Sequence, residues 1–257
     1  MSVLLSIVMP AYNEEEIIET VVQNWSAFLD KHFQPQGETH LIVVNDGSKD
    51  STGAVLDRIA PNYPRLIVVH QKNGGHGNAV VHAYRKAVEI DSEWVFQTDS
   101  DDQFVAEDVL KLWEKRNQSD FIMGFRQARH DATFRLFVTR VLKYSLFAVY
   151  GTMISDSNIP FRLIKGSFLK KLLAQLPTPL PFAPNIFLAV MARKAGQKTF
   201  DIPITHKERA TGEVSIQKMK LLKVCWQSFK ELFRFRQELN GKVKAIKANE
   251  SPYQTKV

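Results

Sequence analysis

Residues 99–103 read Asp99-Ser100-Asp101-Asp102-Gln103, directly after an apolar run, Trp94–Thr98, with the length and residue types of a buried strand. Carboxylate and amide oxygens are ligands for a hard cation. Mg2+ or Mn2+ would suit them, because such ions need few protein ligands and take the rest from water and a substrate's phosphates. On an extended segment Asp99, Asp101 and Gln103 point one way and Ser100 and Asp102 the other, which makes the first three the candidate metal ligands. A plainer reading is a solvated acidic turn ahead of the helix that begins near Ala106, with Asp102 or Asp108 favouring its N-terminus.

Two further acids follow other strand-like runs: Glu14, in Pro10-Ala11-Tyr12-Asn13-Glu14, and Asp46, in Asn45-Asp46-Gly47-Ser48. Acidic loops that converge on one cleft need something cationic or hydrogen-bonding between them, and this weighs against mere helix capping.

The elements that must position these residues are short β-branched runs alternating with amphipathic segments. Leu4–Met9, Leu41–Val44, Leu66–His70, Trp94–Thr98 and Phe121–Gly124 predict strands, and Glu14–Phe28, Ser51–Ile59, Gly77–Ile90 and Ala106–Arg116 predict helices. This alternation predicts an α/β fold, a mainly parallel sheet flanked by helices, with ligands bound beyond the carboxyl ends of the strands. Further on, Phe134–Tyr150 has helical spacing, Pro177–Pro184 is a loop with four prolines, and Asn185–Ala195 is another helix. A long amphipathic helix, Val214–Leu239, precedes a polar stretch from about Asn240. The expected organisation is a catalytic domain over 1–212, a basic amphipathic helix over 213–240 and a flexible tail over 241–257.

With 257 residues, 44% of them hydrophobic, the chain can bury one sizeable core. The lone cysteine, Cys225, cannot form an intrachain disulfide, and no basic stretch leads into an apolar signal core, so a cytoplasmic protein is expected. The most apolar stretch, Leu136–Ile154, is broken by Arg140, Lys143 and Gly151, short of the about 20 clean residues a spanning helix needs. Net charge is +7, but unevenly spread: residues 1–120 balance to −9 and residues 121–257 to +16. An acidic half suggests metal chemistry; a basic half suggests phosphates, anionic lipid or nucleic acid, and leaves room for an acidic partner or a membrane subunit.

Ser6-Ile7-Val8-Met9-Pro10-Ala11-Tyr12-Asn13-Glu14, then Val43-Val44-Asn45-Asp46-Gly47-Ser48 with Asp50-Ser51-Thr52, then Asp99-Ser100-Asp101-Asp102-Gln103, resemble in order and spacing the successive motifs of family 2 glycosyltransferases of the nucleotide-diphospho-sugar (GT-A) fold. Within that family the likeness is greatest to dolichol- and undecaprenyl-phosphate sugar transferases. Gly124-Phe125-Arg126 resembles their Gly-Ser-Arg, Asp156-Ser157-Asn158-Ile159-Pro160-Phe161-Arg162 their Asp-x-x-x-Gly-Phe-Arg with Pro160 in the glycine's place, and His206-Lys207-Glu208-Arg209-Ala210-Thr211-Gly212 their His-x-x-Arg-x-x-Gly. The resemblance covers about residues 3–220.

It implies transfer of a sugar from a GDP- or UDP-sugar to a polyprenyl phosphate, with inversion and a divalent cation, at the cytosolic membrane face. Pro10, Tyr12 and Glu14 would line the base and ribose pocket, Asp46 would contact the base, and Asp99, Asp101 and Gln103 would hold the metal, with Asp99 also near the sugar or ribose. Arg126, Arg140 and Arg209 would address the diphosphate and the acceptor phosphate. A departing nucleoside diphosphate carries several negative charges, which a divalent cation and guanidinium forks stabilise. A phosphate acceptor is already ionised, whereas a sugar hydroxyl needs a general base, for which Asp156 is the candidate. A non-catalytic anion- or membrane-binding protein on the same fold is a further alternative.

Weaker features have plain readings. Gly74-Gly75-His76-Gly77-Asn78 reads as a glycine turn feeding a helix, with His76 a loop residue, although its N–H groups could also meet a phosphate. Arg126, Arg129, Arg135, Arg140 and Lys143 could be only a solvated helix face. The final helix mixes Leu221, Trp226, Phe229 and Phe233 with Lys218, Lys223, Lys230 and Arg234, which suits either a membrane interface or packing on the domain. No RNP, KH or helix-turn-helix signature is present, so no nucleic-acid partner is expected.

Overall fold

The computed structural model describes residues 3–126, 144–152, 154–207 and 218–248, with the backbone alone over 218–229. Four parallel strands form one half of the sheet: β1 (Val3–Ala11), β2 (Thr39–Asn45), β3 (Leu66–His70) and β4 (Ser92–Gln97), side by side as β3-β2-β1-β4. β1 is central and buried almost throughout, as its near-continuous apolar sequence requires when helices cover both faces. Ala11 lies opposite Asn45 and Val8 opposite Gln97, so β1, β2 and β4 deliver their following loops to one edge.

Past β4 the sheet continues through β6 (Arg162–Lys165), β5 (Phe121–Arg126) and β7 (Asp201–Ile204). β6 runs antiparallel to both its neighbours, and β5 and β7 pair in parallel, giving seven strands of which six share a direction. Neither β6 nor β7 was expected from sequence. Each is four residues long, β6 has a charged residue at both ends and β7 contains Pro203, so neither shows an alternating run.

The helices are α1 (Ile18–His32), α2 (Thr52–Ile59), α3 (His76–Glu89), α4 (Asp108–Trp113), α5 (144–150), α6 (Gly166–Ala174), α7 (Pro184–Lys194) and α8 (Lys218–Ala248). α1 buries Ile18, Val21, Val22, Trp25, Phe28 and Leu29, the stripe a 3.6-residue period places on one face. α7 starts on a proline, favourable at a first helical position, and buries every residue from Pro184 to Ala192, so it is an interior helix. Among the described residues no helix is long and apolar enough to cross a membrane.

Three expectations change. α1 begins at Ile18 rather than Glu14, because residues before it form a turn in which Ile18 N donates to the Glu14 carbonyl (2.9 Å). The chain after Gln97 is bent rather than extended, with Asp102 in the left-handed region (φ 53°). The polar stretch from Asn240 is not a tail at its start: α8 continues to Ala248, because Leu239 and Ile246 extend the buried face begun by Leu232 and Phe235. Arg129, Asp131, Arg135, Arg140, Lys143, Glu208, Arg209, Glu213 and the last nine residues lie outside the described residues.

The core is joined by aromatic contacts. Phe96, fully buried on β4, lies 5.8 Å from Trp25 of α1 and 4.7 Å from Phe161 before β6, which ties the helical layer through the sheet to the second half. Phe96→Ala is expected to lower unfolding free energy by about 3–5 kcal/mol, read as a lower midpoint in urea with an unchanged m-value.

Candidate active site

The site is built on the loops that leave β1, β2 and β4. The first two are cross-linked to each other. Asn13 N donates to Ser48 Oγ (3.0 Å), Lys49 N to Asn13 Oδ1 (2.8 Å), Glu14 N to Thr52 Oγ1 (2.8 Å) and Glu15 N to Asp50 Oδ2 (3.1 Å). Ser48 and Thr52 act in turn as donors, to Asn45 Oδ1 (2.6 Å) and Asp50 Oδ1 (2.6 Å). Burial works to raise the Asp50 pKa, but these donors outweigh it and hold the carboxyl below its usual range. Pro10 is therefore buried on β1, and Tyr12, 41% exposed, and the partly buried Glu14 are presented by a rigid loop.

Asp46, at the carboxyl end of β2, is 3% exposed. Its Oδ1 accepts from Gln71 Nε2 (2.6 Å) and Gly74 N (2.8 Å), and its carbonyl accepts from Asn73 Nδ2 (2.9 Å). Gln71 Oε1 faces His82 Nδ1 at 2.6 Å, and since an amide oxygen only accepts, that nitrogen is the donor. Asp46 thus organises the loop into α3, a role its strand-end position did not announce. Gly47 is required beside it: φ is +63° and a Cβ would stand 2.6 Å from Asn73 N.

That loop opens α3 at His76, whose Nε2 stands 4.0 Å from Asp99 Oδ1. Desolvation lowers the His76 pKa and the charges of Asp101 and Asp46 oppose it; with the side chain 58% exposed, the desolvation is partial. His76 thus lies at the sheet edge within electrostatic reach of Asp46, Asp99 and Asp101, an imidazole beside the acids that the sequence alone does not announce.

Within 99–103 the side chains divide differently from simple alternation. Asp101 Oδ1 accepts from Gln103 N (3.3 Å), whereas Gln103 Nε2 donates to the Lys207 carbonyl (3.2 Å) and Lys207 N to the Gln103 carbonyl (2.8 Å). Phe104 and His206 form an antiparallel bridge with their rings 5.2 Å apart. Gln103 thus fastens the start of the His206-Lys207 segment to the acidic loop, and the cation ligand set supported here rests on Asp99 and Asp101. Asp102 lies 3.7 Å from Lys207 Nζ; α4 starts without a side-chain cap, with Asp108 in its first turn as the plainer reading allowed. No cluster of three or more His, Cys, Asp or Glu able to hold an ion occurs among the described residues. Two half-buried carboxylates fit a Mg2+ or Mn2+ ion that keeps water and phosphate ligands, and do not fit a closed zinc site.

The basic side is represented by Arg126 at the end of β5. It grips Asp156 in a bidentate pair, Nε to Oδ2 at 2.8 Å and Nη2 to Oδ1 at 3.0 Å, with side chains 16% and 6% exposed. Asp156 is held in place by Arg162, whose guanidinium is fully buried. Its Nε donates to the Ile159 carbonyl (3.0 Å), Nη1 to Asn185 (2.9 Å), and Nη2 to Ile159 (2.5 Å) and Ser157 (3.3 Å). Burial lowers its pKa, opposed by Tyr84, Asp156 and Asp99. The signal for this was visible: one arginine inside the otherwise apolar run from Ile159 to Ile164.

A seven-stranded, mainly parallel sheet with acids beyond β2 and β4 is the GT-A glycosyltransferase fold. Residues 6–174 match the family described as Glycosyl transferase family 2, and the chain belongs to it. Its curated relatives include undecaprenyl-phosphate 4-deoxy-4-formamido-L-arabinose transferases of Edwardsiella ictaluri (25% identical over 225 residues; 86% of this chain, 66% of that one) and Photorhabdus laumondii subsp. laumondii (24%; 86% and 66%). The chain thus spans slightly less than two thirds of those relatives' length. Among solved structures it is similar in fold to glucosyl-3-phosphoglycerate synthase from Mycobacterium tuberculosis, crystallised with Mn2+, uridine-diphosphate and phosphoglyceric acid (TM-score 0.59, 18% identical, covering 97% of this chain and 80% of that one). It is likewise similar to S. aureus TarS in complex with UDP (TM-score 0.56, 17% identical, covering 95% and 69%).

Arg162→Met, which leaves three carbonyls without their donor, is expected to cost about 3 kcal/mol or more of stability. Arg162→Lys is expected to recover only part of it, because one ammonium cannot reach all three carbonyls; thermal and urea unfolding of the two variants checks this.

Proposed function

We propose that the protein moves a sugar from a UDP- or GDP-sugar to a polyprenyl phosphate, with inversion and dependent on Mg2+ or Mn2+, at the cytosolic face of a membrane. The observation that carries this reading is the meeting of Asp46, Asp99 and Asp101 with the N-terminus of α3 at one sheet edge. The curated relatives named as undecaprenyl-phosphate transferases support the acceptor class.

In this reading Pro10, Tyr12 and Glu14 line the nucleoside pocket and Asp46 meets the base while holding the 71–75 loop. Asp99 and Asp101 hold the divalent cation, which when bound offsets charge on the departing diphosphate. Arg126, and by family resemblance Arg140 and Arg209, address the diphosphate and the acceptor phosphate. Asp156 takes the Nε and Nη2 donors of Arg126 and so fixes the guanidinium, whose Nη1 is the group to meet a phosphate.

The same pairing favours a phosphate acceptor over a sugar hydroxyl. A general base needs a lone pair aimed at the acceptor proton. Both Asp156 oxygens instead accept from Arg126. An ionised phosphate requires no base, only positioning.

Asp101→Ala is expected to lower transfer to undecaprenyl phosphate by at least about 100-fold, with thermal unfolding unchanged in the absence of ligand. Excess chelator is expected to do the same to the unaltered chain. Full activity under either condition contradicts the reading.

A further inference from the structure

Four large side chains that stand open to solvent lie around one stretch of α8. Tyr144 and Phe147 are 64% and 53% exposed on α5, Phe182 is 45% exposed in the proline-rich loop, and Phe233 is 55% exposed on α8. Their clustering follows from the contacts beneath them. The Tyr150 hydroxyl, one turn after Phe147, donates to the Leu232 carbonyl, the residue before Phe233. Phe182 N donates to Glu231 Oε2 (3.2 Å), one residue earlier. α5, the 181–183 loop and α8 therefore meet at residues 231–233, and each contributes exposed aromatic surface there. Single exposed apolar residues are ordinary; a group held together by specific bonds on three elements marks an interaction face.

The charges around it select the partner. Lys230 and Arg234 are exposed on either side of Phe233, and exposed Lys194 stands beside Gly151 at the end of α5, its Nζ 4.0 Å from where a Cβ on that glycine would lie. Glu231 is partly buried and bonded to the loop backbone. α8 as a whole carries nine Lys/Arg and two Glu. Aromatic side chains interleaved with cations fit the headgroup region of an anionic bilayer, where rings enter the interface and ammonium and guanidinium groups meet lipid phosphates.

The face also has a defined relation to the site. Gly77, in the first turn of α3, has no room for a Cβ because the Phe182 carbonyl would stand at 2.6 Å and Pro184 Cδ at 2.8 Å. The preceding residue, His76, reaches Asp99. The loop bearing Phe182 thus rests on the helix turn that borders the acidic cleft, so docking through Phe182 brings the mouth of the cleft to the lipid surface.

We infer that Tyr144, Phe147, Phe182 and Phe233, with Lys194, Lys230 and Arg234, form the face by which this chain docks on an anionic lipid bilayer with its active-site cleft at the surface. This deepens the lipid-acceptor reading, but its test uses neither donor nor turnover, so the two can fail separately.

The test is co-sedimentation of the full chain with vesicles of phosphatidylcholine alone or with about one third phosphatidylglycerol, at low and high salt. The chain is expected to bind the anionic vesicles, and less as salt rises. Phe147→Ser/Phe233→Ser is expected to weaken binding by about tenfold or more, and Phe233→Ser alone by less, both with unchanged thermal unfolding and unchanged metal-dependent binding of nucleoside diphosphate. No binding by the unaltered chain, or equal binding by the double variant, overturns the proposal. So does concentration-dependent dimerisation through this face without vesicle binding, which assigns it to a second copy of the chain.

Discussion

Burying a guanidinium costs several kcal/mol unless its N–H groups all find acceptors. Arg162 gives each of its three nitrogens an acceptor by drawing three carbonyls to itself, those of Ser157 and Ile159 in the loop before β6 and of Asn185 in the first turn of α7. The arginine thereby ties the loop before β6 to the first turn of α7. Through the loop it sets Asp156, and through Asp156 it sets Arg126. Through α7 it anchors the chain that follows the Phe182 loop. Among the described residues, the loop before β6, Arg126 and the start of α7 are thus linked through one side chain on β6.

The first half is ordered differently, by parallel register. β1, β2 and β4 end at neighbouring positions, and the loops they release are stitched by short side-chain-to-backbone bonds rather than by apolar packing. Asp46 extends the stitching to the loop before α3. Acidic groups thereby sit rigidly near one another although they repel, which is tolerable where a cation and its phosphate ligands fit between them. Asp46, Asp99 and Asp101 fall in the −9 half of the sequence, and Arg126 and Arg162 in the +16 half.

Much of the parallel half is legible in the sequence, because buried parallel strands are continuous apolar runs and their covering helices are amphipathic. β3 begins and ends where the apolar run Leu66–His70 does. The strand ends named Glu14, Asp46 and Asp99 directly, and the family resemblance agrees with the Glycosyl transferase family 2 match. The acidic loop was read less well. Alternation assumes extended backbone, and the left-handed Asp102 breaks it: the Gln103 side-chain nitrogen meets the Lys207 carbonyl while its backbone N–H meets Asp101. The Arg126–Asp156 pair spans 30 residues and the Gln103–Lys207 bond 104, separations that carry no local period. α8 outlasts its expected end because tertiary burial of Leu239 and Ile246 outweighs the weak helix preference of Asn240 and Gly241.

The central claim is that the acids beyond β4 hold a cation that in turn holds a nucleoside diphosphate. Calorimetric titration of UDP and GDP into the chain, with Mn2+ present and then with Mn2+ removed by chelator, tests it most directly. One of them is expected to bind saturably with Mn2+ and to lose that binding without it. Binding of equal strength in the chelated protein, or no binding of either nucleotide with Mn2+ present, would contradict it.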